Sequence, residues 1–356
     1  PFAIFVGSRG CPFKCTFCEV PEIDARYGGG KAVYYRSVDN LIEEIETAKE
    51  RGLLAGRLVM FTDSTFNSHK SWFIDFMKSY KERLGDPFSC NLRVDLVTEE
   101  QVKAMKDAGC DNVRFGVESG DSDIRNKILN KKFTDEKLFS CSAYLKKYQI
   151  PCITFNLFGS PEETYEGAWK TIYVNQKIKP AAIGSYIFVL FPGIAATNYA
   201  IRKGFMDEET LKLLDTPPYN IYLSLLAAHP DRNPGIIKIC NLHKFSIIAT
   251  RFPFLEPLIR QLCKLPPLRI FNVFYAACQA WEFQRWSTRT TLRNIMLEAI
   301  LNYQSLASGN KSGGLLNKIS EYFIKRKRNQ LFTRGTEYQP GYLESLIDRK
   351  IVDKPR

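Results

Sequence analysis

Six short runs of apolar and β-branched residues recur along this chain, at Phe2 to Val6, Arg57 to Phe61, Ser89 to Val94, Asn112 to Val117, Cys152 to Phe158 and Ser185 to Leu190. A polar-faced helical segment follows each. The first of these, VDNLIEEIETAKERG, spaces Val38, Leu41, Ile42 and Ile45 along one helical face and stops at Gly52. Strand then helix, six times over, builds a parallel sheet through right-handed crossovers. Six units are too few for a closed eight-fold barrel and suit an open one. The expected fold class is therefore α/β, a partial (β/α)6 parallel barrel over residues 1–205, followed by a mostly helical region. In such architectures the chemistry sits on the loops at the carboxyl ends of the strands.

The loop after the first strand is GSRGCPFKCTFCEVP, residues 7–21, with Cys11, Cys15 and Cys18 within eight positions. A structural zinc site wants four ligands, and the three histidines, His69, His229 and His243, all lie elsewhere, so zinc would need a remote fourth ligand. An iron-sulfur cube takes four ligands, and three thiolates would hold three irons and leave the fourth open to substrate or cofactor. Phe17 offers an apolar wall beside Cys18. Spacing favours the cluster and leaves zinc as an alternative.

With 356 residues and 45% hydrophobic content the chain is expected to bury a sizeable core. Ten cysteines in so long a chain, without a secretory signal, point to a reducing, cytosolic setting rather than a disulfide scaffold. Seven of them, Cys90, Cys110, Cys141, Cys152, Cys240, Cys263 and Cys278, sit mostly among apolar neighbours and read as small buried hydrophobes. The chain begins without Met, directly in an apolar run, and reads as a piece of a longer protein.

After residue 205 the alternation stops. TPPYN at 216–220 and HPDRNPG at 229–235 are turn-rich, and helix-like apolar segments follow, punctuated by Pro253, Pro257, Pro266 and Pro267. Residues 206–307 read as a helical domain, and residues 308–356 as a flexible linker, SGNKSGG, a basic amphipathic helix and a tail. The net charge of +12 is partly concentrated in IKRKRNQLFTR, 324–334. That run suits a solvated helix face, nucleic-acid phosphates or an anionic membrane surface. The segment 239–265 is apolar and aromatic with scattered cations, which favours peripheral membrane contact over nucleic acid. Arg251, Pro253 and Glu256 interrupt it, so it does not make an uninterrupted span of about 20 apolar residues, and the core of the helical domain is the reading that this segment suits best. FPFLEPLIRQL and IFNVFYAACQAW are expected to bury an apolar face against the barrel as a lid. The competing expectation is a surface that faces a membrane.

The pattern Cys11-x3-Cys15-x2-Cys18, with Phe17 before the last cysteine on the loop after the first strand, resembles the signature of the radical S-adenosylmethionine (SAM) enzymes. Ser8-Arg9-Gly10-Cys11-Pro12-Phe13 resembles the subgroup that carries an N-terminal cobalamin-binding domain, which lies outside this chain. The resemblance extends through several blocks to about residue 205. It implies that Cys11, Cys15 and Cys18 hold a [4Fe-4S] cluster whose open iron is chelated by SAM. One-electron cleavage of SAM then yields methionine and a 5'-deoxyadenosyl radical. Cobalamin, held by the domain outside this chain, is the further cofactor it implies.

Carried over by position, FTDSTFN, 61–67, resembles the block near the methionine amine and implies roles for Asp63, Thr65 and Phe66. CNLRVD, 90–95, implies that Arg93 faces the cofactor carboxylate or its neighbourhood. RFGVESGDSDI, 114–124, implies that Glu118 points at the ribose hydroxyls, with Ser119 beside it. NLFGSPEET, 156–164, resembles a Gly-x-Pro-Gly-Glu-Thr block, so Gly159 is expected at the adenine and Glu163 at the start of the next helix. Glu162 departs from the usual glycine there. YIFVLFPGIAATN, 186–198, keeps Pro192 and Gly193 of the sixth-strand block, with Ile194 in place of threonine. Expected partners are a small-molecule or lipid substrate and a one-electron donor such as flavodoxin or ferredoxin. The expected location is cytoplasmic, at most peripheral to the inner face of the membrane. The competing functions are a tRNA-modifying methylthiotransferase and a non-enzymatic, zinc- or cluster-stabilised nucleic-acid-binding protein.

Overall fold

The computed structural model describes residues 2–26, 33–216, 219 and 221–286, all within the first of two compact units, Pro1–Ile295. The expected linker, basic helix and tail after residue 307 lie outside the described residues. Six strands, β1 (Phe2–Phe5), β4 (Leu58–Phe61), β5 (Phe88–Asn91), β6 (Cys110–Glu118), β7 (Cys152–Phe158) and β8 (Ala182–Ile187), form one wholly parallel sheet in the order β1-β4-β5-β6-β7-β8. Each follows an apolar run read in the sequence, within a few residues at either end. Two short strands that the sequence analysis did not find, β2 (Ser8–Gly10) and β3 (Val33–Tyr35), pair antiparallel as a separate ribbon. Its first strand leads straight into the cysteine loop.

The crossovers run through α2 (Val38–Glu50), α3 (Lys70–Arg83), α4 (Glu99–Asp107), α5 (Asp135–Lys147) and α6 (Tyr165–Ile178). Their starts are written locally. Ser37, Thr98, Thr134 and Thr164 each accept a hydrogen bond from a backbone N–H of the first turn, and Thr98 with Gln101 forms a complete capping box. One face of the sheet buries Phe61, Phe88, Val113, Phe115 and Val117 against Leu41, Ile45, Phe73, Phe76, Val102 and Leu138 of the helices. Phe61 stacks on Phe66 at 4.8 Å and meets Phe76 edge-on at 5.2 Å. Each such pair adds about 0.5–1.5 kcal/mol to the burial of its rings.

An open sheet leaves edge strands with unpaired backbone groups, and β8 is one. The helices α8 (Ile236–Arg251), α9 (Glu256–Leu262) and α10 (Arg269–Trp286) deal with it directly. The Ser185 carbonyl accepts from Tyr275 Oη at 2.5 Å, Gln279 Nε2 at 2.9 Å and His243 Nε2 at 3.2 Å. The Ile183 amide donates to Glu282 Oε2 at 3.1 Å, and Glu282 is held in turn by Arg251. Burial drives the His243 pKa down to about 3, so the imidazole is neutral, and the Ser185 carbonyl selects the tautomer that carries its proton on Nε2.

The segments expected as a lid pack along the sheet's edge: α10 meets β8 and α8, and α9 meets α8. Ile259, Cys263, Phe271, Tyr275 and Cys278 are buried, but Phe252, Phe254, Leu258, Leu265, Leu268, Ile270, Val273 and Phe274 stand exposed. The apolar density of these segments therefore exceeds what packing against the barrel absorbs. No helix among the described residues is long and apolar enough to cross a membrane.

Candidate active site

The cysteine loop is held from three sides. From beneath, Asp63 accepts from the Gly7 amide through both carboxylate oxygens at 3.1 Å and from the Ser8 hydroxyl at 2.6 Å. Asp63 is only 1% exposed, and burial lifts its pKa above the usual carboxylate range, with these donors pulling against it. Gly7 cannot carry a side chain, because a Cβ would come within 2.8 Å of the Trp72 ring. From the segment after β6, the Leu129 and Ile128 carbonyls accept from the amide and hydroxyl of Thr16 at 3.1 and 2.6 Å, and Asn130 Nδ2 donates to the Lys14 carbonyl at 2.6 Å. From the far side, the Ala196 amide at the start of α7 (Ala195–Arg202) donates to the Thr16 carbonyl at 2.9 Å.

The thiols of Cys11, Cys15 and Cys18 are free and half-buried. Cys11 Sγ lies 3.4 Å from Thr65 Oγ1, and Arg93 Nη1 lies 3.7 Å from Cys15 Sγ. Burial pushes the Cys15 thiol above the ordinary range, opposed chiefly by Lys131 and then Arg93; Cys18 is raised by burial alike. Phe17 packs against the apolar cluster that includes Leu190 and Ile194, with the Lys131 ammonium 5.8 Å from its ring centroid. Each thiolate of an iron-sulfur cube binds its own iron, so the three need not meet at one point. Among the described residues no three His, Cys, Asp or Glu side chains converge as one metal ion would require. Three free thiols with a cation beside one of them are a donor set that fits such a cluster.

Arg93 is 6% exposed and held from several sides. Its Nε pairs with Asp95 at 2.8 Å, its Nη2 donates to the Lys131 carbonyl, and its guanidinium covers the Phe13 ring at 3.6 Å. Asn67 clamps its backbone, accepting from the Arg93 amide at 2.9 Å and donating to its carbonyl at 3.1 Å.

Glu118 ends β6 at a register shift with a φ of 60°, a conformation that is costly for a non-glycine residue and tends to mark functional sites. Its Oε1 pairs with Lys131 Nζ at 2.5 Å. A Cβ at Gly116 would overlap Glu118 Oε1, so glycine there makes room for the carboxylate. Lys131 itself lies between Asn130 and Lys132, both at positive φ, just after a single π turn at Ile124–Ile128.

Other residues singled out in the sequence fall elsewhere. The Phe66 ring is enclosed by Phe61, Phe73 and Phe76 in the core. Ser119 shapes a turn, its Oγ accepting from the Asp121 amide at 3.2 Å and its carbonyl accepting from Arg125 at 3.1 Å. Pro192 sits exposed in the turn before α7; Ile194 supplies no side-chain cap to that helix, and the Thr197 hydroxyl ties the turn by donating to the Phe191 carbonyl at 2.7 Å.

Gly159 adopts a φ of 84°, and its carbonyl accepts from Ser224 Oγ at 3.2 Å. Glu162 takes up the left-handed conformation, at φ 64°, that a glycine would adopt more easily. Glu163 does not open the following helix. Thr164 caps it, and Glu163 turns back so that its Oε2 accepts from the Gly159 amide at 2.6 Å. Fully buried there, Glu163 has its pKa raised to about 8. Sequence reasoning missed Lys131, Asn67 and Phe13 as partners, because each meets Arg93 or Glu118 from a distant part of the chain, although Asn67 and Phe13 stand inside the quoted motifs.

Residues 5–172 match the sequence model of the Radical SAM superfamily. Its members use a [4Fe-4S] cluster and SAM. Over 209 residues the chain is 30% identical to an uncharacterised methyltransferase of Pyrococcus horikoshii, covering 58% of this chain and 43% of that protein. It is 26% identical to a tRNA-2-methylthio-N(6)-dimethylallyladenosine synthase of Sulfurihydrogenibium sp., covering 58% of this chain and 47% of that one. The chain thus spans less than half the length of these relatives. Its fold is similar to that of the radical SAM methyltransferase TsrM from Kitasatospora setae, solved with cobalamin and a [4Fe-4S] cluster, at a TM-score of 0.50 and 18% identity over 58% of this chain and 40% of that one.

Proposed function

We propose that this chain is the catalytic core of a radical SAM methyltransferase that works with cobalamin held outside residues 1–205, on a small-molecule or lipid substrate. The observation that carries this reading is the placement of Cys11, Cys15 and Cys18 on a loop at the carboxyl end of β1, buttressed by Asp63, Arg93 and the segment after β6. Cys11, Cys15 and Cys18 would hold the [4Fe-4S] cluster, which would supply the one-electron reductive cleavage of SAM, with a flavodoxin or ferredoxin as electron source.

The protein's own part is placement. Arg93 and Lys131 bring positive charge to the thiolates, Glu118 offers paired acceptors for ribose hydroxyls, and Gly159 with Phe17 supplies close-packed backbone and an apolar wall. Methyl transfer is supported by the Pyrococcus relative. Methylthiolation of tRNA is supported by the Sulfurihydrogenibium relative at lower identity, while residues 236–286 here are mostly helical. Peripheral membrane contact is part of the same reading. Phe254, Leu258 and Ile270 are exposed along with Lys264 and Arg269, an apolar surface with cations that suits an anionic interface.

Anaerobic reconstitution tests the proposal. The chain should take up about four irons and four sulfides, and form 5'-deoxyadenosine from SAM when reduced. The variant with all three loop cysteines changed to Ala should stay folded and colourless. Iron retained in that variant, or no 5'-deoxyadenosine from the intact chain, sinks the reading.

A further inference from the structure

The register of the sheet tells which side chains face away from the helices. Phe61, Cys90, Val113 and Phe115 belong to the core beneath the helices, so their neighbours along each strand point to the opposite, inner face. Across that face Ile4 pairs with Met60, Met60 with Ser89, Asn91 with Arg114, Gly116 with Phe155, Phe155 with Gly184, and Leu157 with Tyr186. Ile4 and Tyr186, on the two outer strands, are 63% and 47% exposed, so the face opens to solvent at both sides.

Arg114 stands in the middle of this face and is 7% exposed. Its Nη2 donates to the Phe61 carbonyl at 3.0 Å, its Nη1 meets only the Met60 thioether at 2.9 Å, and its buried Nε has no partner. The other buried arginines are different. Arg93 pairs with Asp95 at 2.8 Å and Arg125 with Asp135 at 2.5 Å. Arg114 forms no ion pair among the described residues, and burial lowers its pKa below the ordinary guanidinium range. A buried cation without a counter-charge is costly, and a thioether is a poor acceptor for a guanidinium N–H.

Such a group invites an anion from outside the chain, and the apolar side chains farther along the same face of the sheet state what else that molecule carries. Phe155, Leu157 and Tyr186 are partly accessible and apolar, and Gly184 keeps the space between them open only because it lacks a side chain: a Cβ would lie 2.6 Å from Phe155 and 2.8 Å from Tyr186. We propose that the inner face of the sheet binds a substrate with a carboxylate on an apolar, ring-sized body, the carboxylate pairing with Arg114 and the body lying against Phe155, Leu157 and Tyr186. The guanidinium fork matches a carboxylate in two parallel hydrogen bonds. The inference rests on the enzyme reading, in which this face receives the substrate. Its test reads binding alone, so it fails or stands independently of SAM cleavage.

Calorimetry on the reconstituted full chain compares benzoate with benzamide, its neutral counterpart of the same shape. Benzoate should bind about tenfold more tightly or better. Arg114→Gln should abolish that preference without weakening benzamide, and Arg114→Lys should retain part of it. If the Gln variant does not fold, the Arg114 Nε–H resonance of the labelled wild-type chain must shift with benzoate and not with benzamide. Equal or absent binding of the two probes, a preference that survives Arg114→Gln, or an unmoved resonance overturns the proposal.

Discussion

Arg93 Nη1 lies 3.7 Å from Cys15 Sγ, while the rest of the guanidinium is taken up by Asp95, the Lys131 carbonyl and the face of Phe13. The cation is therefore fixed against one thiol rather than swinging freely. Positive charge and hydrogen bonds at cluster sulfurs favour the reduced form. Arg93→Gln should shift the midpoint potential of the reconstituted cluster negative by tens of millivolts, and Arg93→Lys should shift it less. A redox titration followed by electron paramagnetic resonance measures this, and an unchanged potential would show that the contact is packing only.

Asp63 is a floor for the cysteine loop, because both of its oxygens are engaged by Gly7 and Ser8. Asp63→Ala leaves the Gly7 amide without its acceptor in a buried site and should cost about 2–3 kcal/mol. Urea unfolding should show a lower midpoint with an unchanged slope, and Asp63→Asn should recover part of the loss. Wild-type stability in the Ala variant would contradict this assignment.

Glu118 is held in a costly backbone conformation with Lys131 on one oxygen. If the carboxylate receives ribose hydroxyls, Glu118→Gln loses charge-assisted hydrogen bonds and should weaken SAM binding by roughly tenfold or more. Calorimetry with the cluster in place decides it. Affinity equal to wild type would leave Glu118 as a partner of Lys131 and nothing more.

Glu163 gives a pH signature. Its pKa rises from 4.5 in the unfolded chain to about 8 in the fold, where burial is the main cause. Between those values the folded state holds a proton that the unfolded state has released, so stability falls as pH rises through that window. Glu163→Gln removes the effect while keeping an acceptor for the Gly159 amide. The difference in urea midpoint between variant and wild type should move in favour of the variant from pH 5 to pH 8. A difference that does not change with pH would mean that Glu163 is charged in the fold.

Much of the fold was legible because its signals are local. Apolar runs of strand length, helical spacing after each, and Ser or Thr caps are written within a few residues of where they act, and six parallel strands follow from their alternation. The three loop thiols were legible for the same reason. What the short-range pattern misjudged were positions whose role depends on a partner far along the chain. Phe66 sits inside a motif-like stretch, yet an aromatic core made by Phe61, Phe73 and Phe76 claims it. Glu163 looked like the first acidic residue of a helix, yet two backbone amides behind it draw it inward.

By itself, then, the sequence determined the sheet, the crossovers and the loop that carries Cys11, Cys15 and Cys18. Only the tertiary structure decided what surrounds those thiols and what covers the sheet's edge. Lys131 reaches Glu118 across 13 residues, Arg93 reaches Cys15 across 78, and Glu282 reaches the Ile183 amide across 99. No periodicity encodes such pairs. They form because a charge or backbone amide taken out of water must find a partner, and chain folding decides which one is near.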